Sequence, residues 1–93
     1  MDIQPISADI KSVRVMVLAF TRVRELMNED RFPLDLAPGA TLRDCWSALL
    51  ERCPSLAPLQ SSTRLARNGR LESLDTVVES GDEIALLPPV GGG

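Results

Sequence analysis

The apolar residues near the start of the chain follow first a strand pattern and then a helix pattern. Residues 13–20 (VRVMVLAF) are rich in branched side chains and apolar at both alternating sets of positions. That composition is typical of an interior strand covered on both sides. The next segment contains neither Gly nor Pro, and it repeats its apolar residues at i, i+3 and i+4: Val23, Leu26 and Met27. We therefore expect a central strand followed by a short helix.

The next two elements are predicted to be an edge strand and a long helix. Residues 31–36 alternate polar and apolar side chains, but Pro33 cannot donate a ladder hydrogen bond, so this strand should lie at a sheet edge. Thr41 and Asp44 resemble a capping box, which marks the start of a helix. The apolar stripe of that helix follows helical spacing: Leu42, Cys45, Trp46, Leu49, Leu50 and Cys53. Pro54 predicts its end, because proline disfavours helix in the residue before it.

The second half of the chain contains two turn signals and three further strands. Residues 55–62 (SLAPLQSS) are interpreted as a loop with a few apolar anchors. Asn68-Gly69 indicates a two-residue hairpin turn because both residues tolerate positive φ, so two short strands should flank it. Residues 80–82 mark another turn, and residues 83–87 (EIALL) are predicted to form the last strand.

Together these elements predict an α+β fold, in which a mixed sheet of four to five strands packs on one main helix. The amphipathic helix needs a sheet face to cover. If the first and last strands lie side by side, they pair in parallel at the sheet centre, which a β-grasp arrangement satisfies. We expect residues 1–11 to be a loosely ordered lead-in, residues 12–87 to form the β-grasp domain and residues 88–93 to form an extended tail.

The bulk composition narrows the classes of function. A chain of 93 residues supports one modest core. With 13 acidic and 10 basic residues the net charge is -3, which lacks the basic footprint that nucleic acid or an anionic membrane requires. The sequence shows neither a signal-peptide pattern nor an apolar run long enough to span a bilayer. We therefore expect a cytoplasmic protein without nucleic-acid or membrane partners.

Candidate chemistry within the domain is sparse. The chain has no histidine and only two cysteines, Cys45 and Cys53, so neither a tetrahedral zinc site nor a Cys-His pair can be assembled. Both cysteines lie on the apolar stripe and are interpreted as core packing rather than as sulfur relays. Asp82 and Glu83 are interpreted as turn and solvated surface, because adjacent strand residues point to opposite faces. We expect no bound cofactor, no metal and no intrinsic active site.

The most specific pattern lies at the end of the sequence, which reads Leu86-Leu87-Pro88-Pro89-Val90-Gly91-Gly92-Gly93. Adjacent prolines favour extended geometry, and six residues at about 3.1 Å each reach on the order of 20 Å. Glycine has no side chain, so the last three residues can thread a narrow channel and bring the Gly93 carboxylate into the cleft of a partner. A glycine-rich end by itself is more often a frayed tail, so the residues before it decide how it is interpreted.

Those residues resemble the small subunit of molybdopterin synthase, one of the ubiquitin-like sulfur carriers. That family runs from its first strand into a Phe-Ala-x-x-Arg-Glu-Leu-type segment and ends in Gly-Asp-Glu, apolar residues, Pro-Pro-Val/Ile, one variable residue and Gly-Gly. In this chain Phe20 is followed by Val23-Arg24-Glu25-Leu26, and residues 81–93 read GDEIALLPPVGGG. The resemblance covers about residues 13–93, and Thr21 stands where Ala is common.

The resemblance implies sulfur delivery in molybdenum cofactor biosynthesis. An ATP-dependent adenylyltransferase, similar to ubiquitin-activating enzymes, would adenylate the Gly93 carboxylate, and sulfur would replace AMP to give a thiocarboxylate. ATP is thus used by the activating partner. The tail would then enter the large subunit of molybdopterin synthase and donate its sulfur to a cyclic pterin precursor. In the resembled family two small and two large subunits associate as a heterotetramer.

The same resemblance implies that three apolar residues form the subunit contact: Phe20, Leu71 and Leu87. An apolar surface patch beside a reactive tail is what docking would need. Each of the three residues could instead belong to the core.

Two other functions stay open at the level of the sequence. The chain could carry sulfur for thiamine synthesis or for tRNA thiolation, although Pro-Pro-Val before the glycines argues against both. It could also be a non-reactive β-grasp interaction module. Removal of Gly92 and Gly93 separates these classes, because a carrier loses its activity and a binding module loses nothing.

Overall fold

The computed structural model describes residues 12–89, and all structural statements below concern that part of the chain. Its elements follow the order expected from the sequence. They are, in chain order, β1 Val13–Ala19, α1 Thr21–Met27, β2 Arg31–Leu36, α2 Leu42–Arg52, a 3-10 helix Pro54–Ser62, β3 Arg64–Arg67, β4 Arg70–Leu71 and β5 Glu83–Leu87.

The five strands form one mixed sheet in the order β2-β1-β5-β3-β4. β1 and β5 are parallel at its centre, with Val17 opposite Ile84. The other neighbouring pairs are antiparallel. The predicted parallel pairing of the first and last strands is therefore confirmed. The predicted edge position of β2 is also confirmed; Pro33 has no backbone N–H, and an edge strand tolerates that loss.

The long helix α2 begins and ends where local chemistry predicts. The Asp44 backbone N–H donates to Thr41 Oγ1 at 3.3 Å, and the Thr41 N–H donates to Asp44 Oδ2 at 2.9 Å. This capping box satisfies two N–H groups that the helix leaves without partners, at a gain of about 1 kcal/mol. The helix ends at Arg52, ahead of Pro54, and its buried stripe consists of Leu42, Cys45, Trp46 and Leu49.

The core lies between α2 and one face of the sheet. On β1 the residues that point toward the helix are fully buried: Val15, Val17 and Ala19. Met16 and Leu18 point to the other face and stay half-exposed. The prediction that this strand is covered on both sides is wrong for the described residues, because α2 packs on only one face of the sheet.

The turn between β3 and β4 has the backbone that its sequence predicts. Asn68 has φ of 52° and Gly69 has φ of 86°. Two consecutive residues with positive φ match the right-handed twist of the flanking strands, so the hairpin closes with Arg67 opposite Arg70.

Two segments differ from the sequence-based expectation. Residues 54–62 form a 3-10 helix rather than a loop. The side chain of Leu56 is fully buried in the core, and the local hydrogen bonds of a 3-10 helix satisfy the backbone beside it. β1 ends at Ala19, one residue earlier than predicted. Thr21, the first residue of α1, is strained, since its φ of 47° lies in the left-handed region, which costs a residue with a Cβ about 1–2 kcal/mol.

Candidate docking face and reactive tail

The sheet face opposite α2 carries an apolar stripe, and no helix of the described part of the chain packs on it. We call it the open face and define it by Met16, Leu18, Ala66, Leu71, Ala85 and Leu87. The strand registers join these residues laterally: Leu18 is opposite Ala85, Ala85 is opposite Ala66, and Ala66 is opposite Leu71. Because side chains alternate between the faces of a sheet, this register places one apolar stripe across four strands.

The three residues expected at a subunit contact are brought together on this face. Leu71 lies on the edge strand β4 and is 52% exposed, and Leu87 ends β5 half-buried. Phe20 is 42% exposed. Its extended backbone, with φ of -131° and ψ of 155°, continues the alternation of β1 and places the ring on the side of Leu18. An apolar surface with two large, half-exposed side chains is typical of a protein-binding site.

Two ion pairs lie on the same side of the sheet as the open face. Arg14 Nε lies 2.7 Å from Asp35 Oδ1, and Arg31 Nη2 lies 3.4 Å from Glu83 Oε2. The hydrogen bond from Arg14 lowers the pKa of the Asp35 carboxyl below its ordinary value. These pairs are exposed, so they contribute little to the free energy of unfolding. The Arg14 pair gives the apolar stripe a polar rim. The Arg31–Glu83 pair crosses β1 next to Met16 and Leu18, because β1 lies between β2 and β5.

The tail leaves the sheet from the strand that carries the centre of the open face. Leu87 ends β5, Pro88 is half-buried and Pro89 is exposed. The remaining tail residues named from the sequence, Val90 and Gly91 to Gly93, lie outside the described residues, as does the lead-in of residues 1–11. The placement of the tail in a partner cleft therefore stays a prediction.

Asp82 is not the solvated turn residue that the sequence predicts. The residue is only 7% exposed. The Asp82 carboxylate accepts three hydrogen bonds, from Arg67 Nη1 at 2.9 Å, from Asn68 Nδ2 at 2.9 Å and from the Glu79 backbone N–H at 2.8 Å. The prediction failed because Arg67 and Asn68 are distant in sequence and meet Asp82 only when the hairpin folds onto β5.

We call this group the Asp82 cluster, and it comprises Arg67, Asn68, Glu72, Glu79 and Asp82. Arg67 also donates from Nε to Glu72 Oε1 at 3.1 Å. The Asn68 carboxamide oxygen accepts from the Glu83 backbone N–H at 2.9 Å. The paired charges are well satisfied, which is the condition for carrying a buried carboxylate. The recurrence of Gly-Asp-Glu in the resembled family was the one sequence signal that pointed to this residue.

Asp82 makes the stability of the fold depend on pH. Burial raises the pKa of its carboxyl, but the hydrogen bonds from Glu79, Asn68 and Arg67 together lower it below its ordinary value of 3.8. A depressed pKa means that the stabilisation is present at neutral pH and is lost as pH falls below 3.8 through the folded-state pKa. We expect the urea midpoint to fall more steeply between about pH 5 and about pH 2 in the unaltered chain than in Asp82→Asn.

A matched control uses the other carboxyl with a lowered pKa. Asp35→Asn should leave the pH dependence nearly unchanged, because the Asp35 pair with Arg14 is exposed. Equal pH slopes in the unaltered chain and in Asp82→Asn would show that Asp82 does not carry this effect.

Comparison with known proteins assigns the family. The model described as the ThiS family matches residues 17–93. The chain belongs to the ThiS family. Among curated members, the molybdopterin synthase sulfur carrier subunit of Arabidopsis thaliana is 36% identical over 87 residues, covering 94% of this chain and 91% of that protein.

Solved structures of related proteins support the ThiS-family assignment and the fold. The putative molybdopterin converting factor subunit 1 from Pyrococcus furiosus matches with a TM-score of 0.79 at 30% identity, covering 85% of this chain and 100% of that one. A chain in the complex of subunits 1 and 2 of molybdopterin-converting factor from Helicobacter pylori matches with a TM-score of 0.61 at 29% identity, covering 87% and 100%. The resemblance and the β-grasp fold class stated from the sequence are confirmed.

The cysteines of this ThiS-family chain are placed for packing rather than for sulfur transfer. Cys45 is fully buried in α2, and burial raises the pKa of its thiol to about 11. A thiol with that pKa is protonated at neutral pH and is a poor nucleophile. Cys53 is half-buried after the end of α2, not within it, and its Sγ lies 3.2 Å from Ser55 Oγ.

Residues 12–89 of the ThiS-family chain contain neither a candidate metal site nor a membrane-spanning helix. Within that range no group of three His, Cys, Asp or Glu side chains is arranged to hold a metal ion. The helices in the same range are too short or too polar to cross a membrane.

Proposed function

We propose that this chain is the sulfur carrier subunit of a molybdopterin synthase and that the Gly93 carboxylate carries the sulfur. The observation that carries the proposal is the match of the ThiS family model through residue 93, on a fold whose central strand β5 both bears the open face and continues into the tail. The names of the curated relatives supply the pathway.

The chemistry requires activation by a partner, because a carboxylate is a poor electrophile. We propose that an adenylyltransferase uses ATP for this step: a Gly93 oxygen attacks the α-phosphate, pyrophosphate leaves, and an acyl-adenylate forms. A sulfur nucleophile then displaces AMP to leave a thiocarboxylate. The chain itself would bind neither ATP nor a resident cofactor.

Docking would bring the loaded tail to its substrate. The complex from Helicobacter pylori contains a protein similar to this chain together with subunit 2 of its converting factor. We propose that the open face, together with Phe20, binds the corresponding large subunit here, in a heterotetramer of two small and two large subunits. Pro88 to Gly92 would lie in the cleft of the large subunit, and Gly93 would donate sulfur to the cyclic pterin precursor.

We place these reactions in the cytoplasm. ATP is available there, and the reducing conditions that keep thiols reduced would also protect a thiocarboxylate from oxidation.

Intact-mass spectrometry tests the carrier chemistry directly. After incubation with the activating enzyme, MgATP and a sulfur donor, we expect the chain to gain the mass difference between one sulfur and one oxygen. A variant with one alanine added after Gly93 keeps every residue but moves the carboxylate, so it should gain nothing. If an activating enzyme that loads an authentic carrier leaves this chain unchanged, the carrier function is wrong.

Conversion of the cyclic pterin precursor decides the pathway. Loaded chain and large subunit together should yield molybdopterin. A chain that gains sulfur but fails this step with an active large subunit would instead carry sulfur for thiamine synthesis or tRNA thiolation.

A further inference from the structure

The position of Leu71 in the open face is weakly held by its own strand. β4 contains only two residues, Arg70 and Leu71, and it pairs with β3 alone at the edge of the sheet. A two-stranded hairpin is marginally stable by itself in water. Leu71 is 52% exposed, so burial contributes little to its position. Other interactions are needed to hold the backbone of Leu71 in place.

The Asp82 cluster supplies that support, and it starts from the central strand. The Asp82 backbone carbonyl accepts from the Met16 N–H at 2.9 Å, which anchors the residue to β1. Its carboxylate binds Arg67 and Asn68, the last residue of β3 and the first residue of the hairpin turn. The hairpin is thereby joined to the start of β5 by side chains as well as by strand pairing.

The connection continues to the residue beside Leu71. Arg67 bridges Asp82 and Glu72, with distances of 2.9 Å and 3.1 Å, and Glu72 directly follows Leu71 in the chain. The Asn68 backbone N–H also donates to the Glu83 carbonyl at 2.8 Å. The partly buried, charge-assisted hydrogen bonds of Arg67 thus hold both sides of the hairpin.

We propose that Asp82 is a positioning residue for partner docking: it holds the β3-β4 hairpin against the start of β5, so that Leu71 occupies its place in the open face before the partner binds. This inference rests on the proposed function. Preorganisation raises affinity because the hairpin does not have to be ordered during binding. The partner it serves is the large subunit, whose contact surface would be apolar opposite Leu71.

The test measures the dissociation constant for the large subunit with the full-length chain. Asp82→Asn keeps the shape of the side chain but removes its charge and one acceptor. We expect the dissociation constant to rise about tenfold and the turnover rate at saturating carrier to stay unchanged, because the tail is intact. Asp75→Asn is the matched control, because Asp75 lies in the same β4–β5 loop as Asp82. The substitution breaks only an exposed ion pair with Arg43 of α2, so it should leave binding unchanged.

A double-mutant cycle separates positioning from general destabilisation. If Asp82 acts through Leu71, Asp82→Asn should have no further effect on binding in a Leu71→Ala background, and its full effect in a Leu87→Ala background. Equal effects in both backgrounds would overturn the proposal, because a merely structural role does not distinguish the two leucines.

Two further measurements keep the test decisive if Asp82→Asn folds poorly. Glu72→Gln breaks only the outer link of the Asp82 cluster and should weaken binding in the same direction. Hydrogen exchange at the amides of residues 67–72 should be faster in Glu72→Gln than in Asp75→Asn. Unchanged binding and exchange in Glu72→Gln would contradict the proposal.

The outcome is distinguishable from failure of the proposed function. If the unaltered chain neither gains sulfur nor binds the large subunit, the proposed function fails. If it does both and Asp82→Asn binds equally well, only the role of Asp82 fails.

Discussion

Deletion of Gly92 and Gly93 is expected to reduce molybdopterin formation to the level of the large subunit alone. Both the acyl-adenylate and the thiocarboxylate are proposed to form on the Gly93 carboxylate, and a shortened tail cannot present a carboxylate at the same depth in the partner. Within residues 12–89, the last buried core residue is Leu86. The measurement is pterin conversion in a reaction reconstituted with activating enzyme, MgATP, sulfur donor and large subunit.

The control for this deletion is binding rather than activity. The shortened chain should keep its circular dichroism spectrum and compete with the loaded chain for the large subunit, since the open face is unchanged. Full activity of the shortened chain would refute the carrier chemistry and would favour a non-reactive interaction module. Loss of folding would contradict the separation of domain and tail.

Leu71→Asp is expected to weaken large-subunit binding by about 2 kcal/mol, or roughly thirtyfold in the dissociation constant. Leu71 is 52% exposed in the free chain, so a charge there is solvated before binding. In the complex the same charge would be buried against an apolar surface without a partner. Isothermal titration calorimetry with the large subunit measures the change. Sulfur loading of Gly93 in the same variant shows whether the activating partner uses the same face.

Val77→Asp is the matched control for this prediction. Val77 is 50% exposed, but its bridge to Thr41 places it at the start of α2, outside the open face. It should bind as the unaltered chain does. Equal weakening by both variants, or none by Leu71→Asp, would show that docking uses another surface. A charge at Leu87 would test binding less specifically, because Leu87 is half-buried and the charge would also disturb packing.

Two proposed roles, partner binding and sulfur delivery, meet at the end of β5. In the proposed function, the open face would determine which partner binds, and the tail that follows Leu87 would deliver the reacting atom. Because β5 lies at the centre of the sheet between β1 and β3, docking on the open face fixes the position from which the tail starts. In the proposed function, the activating enzyme and the large subunit would supply the two active sites.

The sequence by itself determined the elements that rest on local interactions. The capping box of Thr41 and Asp44 and the apolar stripe behind it specify α2 within one segment. Asn68-Gly69 specifies the hairpin because positive φ is a property of those two residues. Pro33 places β2 at the edge for the same kind of reason, since it lacks a backbone donor wherever it lies. The family of the tail was equally readable, because its motif is contiguous in residues 81–93.

Only the tertiary structure decided which surfaces are open and which polar groups are buried. Residues 13–20 are apolar on both sides, and that pattern is the same for a strand covered twice and for a strand with one face kept for a partner. The burial of Asp82 depends on Arg67 and Asn68, which lie 15 and 14 positions away in sequence. Such contacts arise from how the hairpin folds against β5, so no local pattern around Asp82 encodes them.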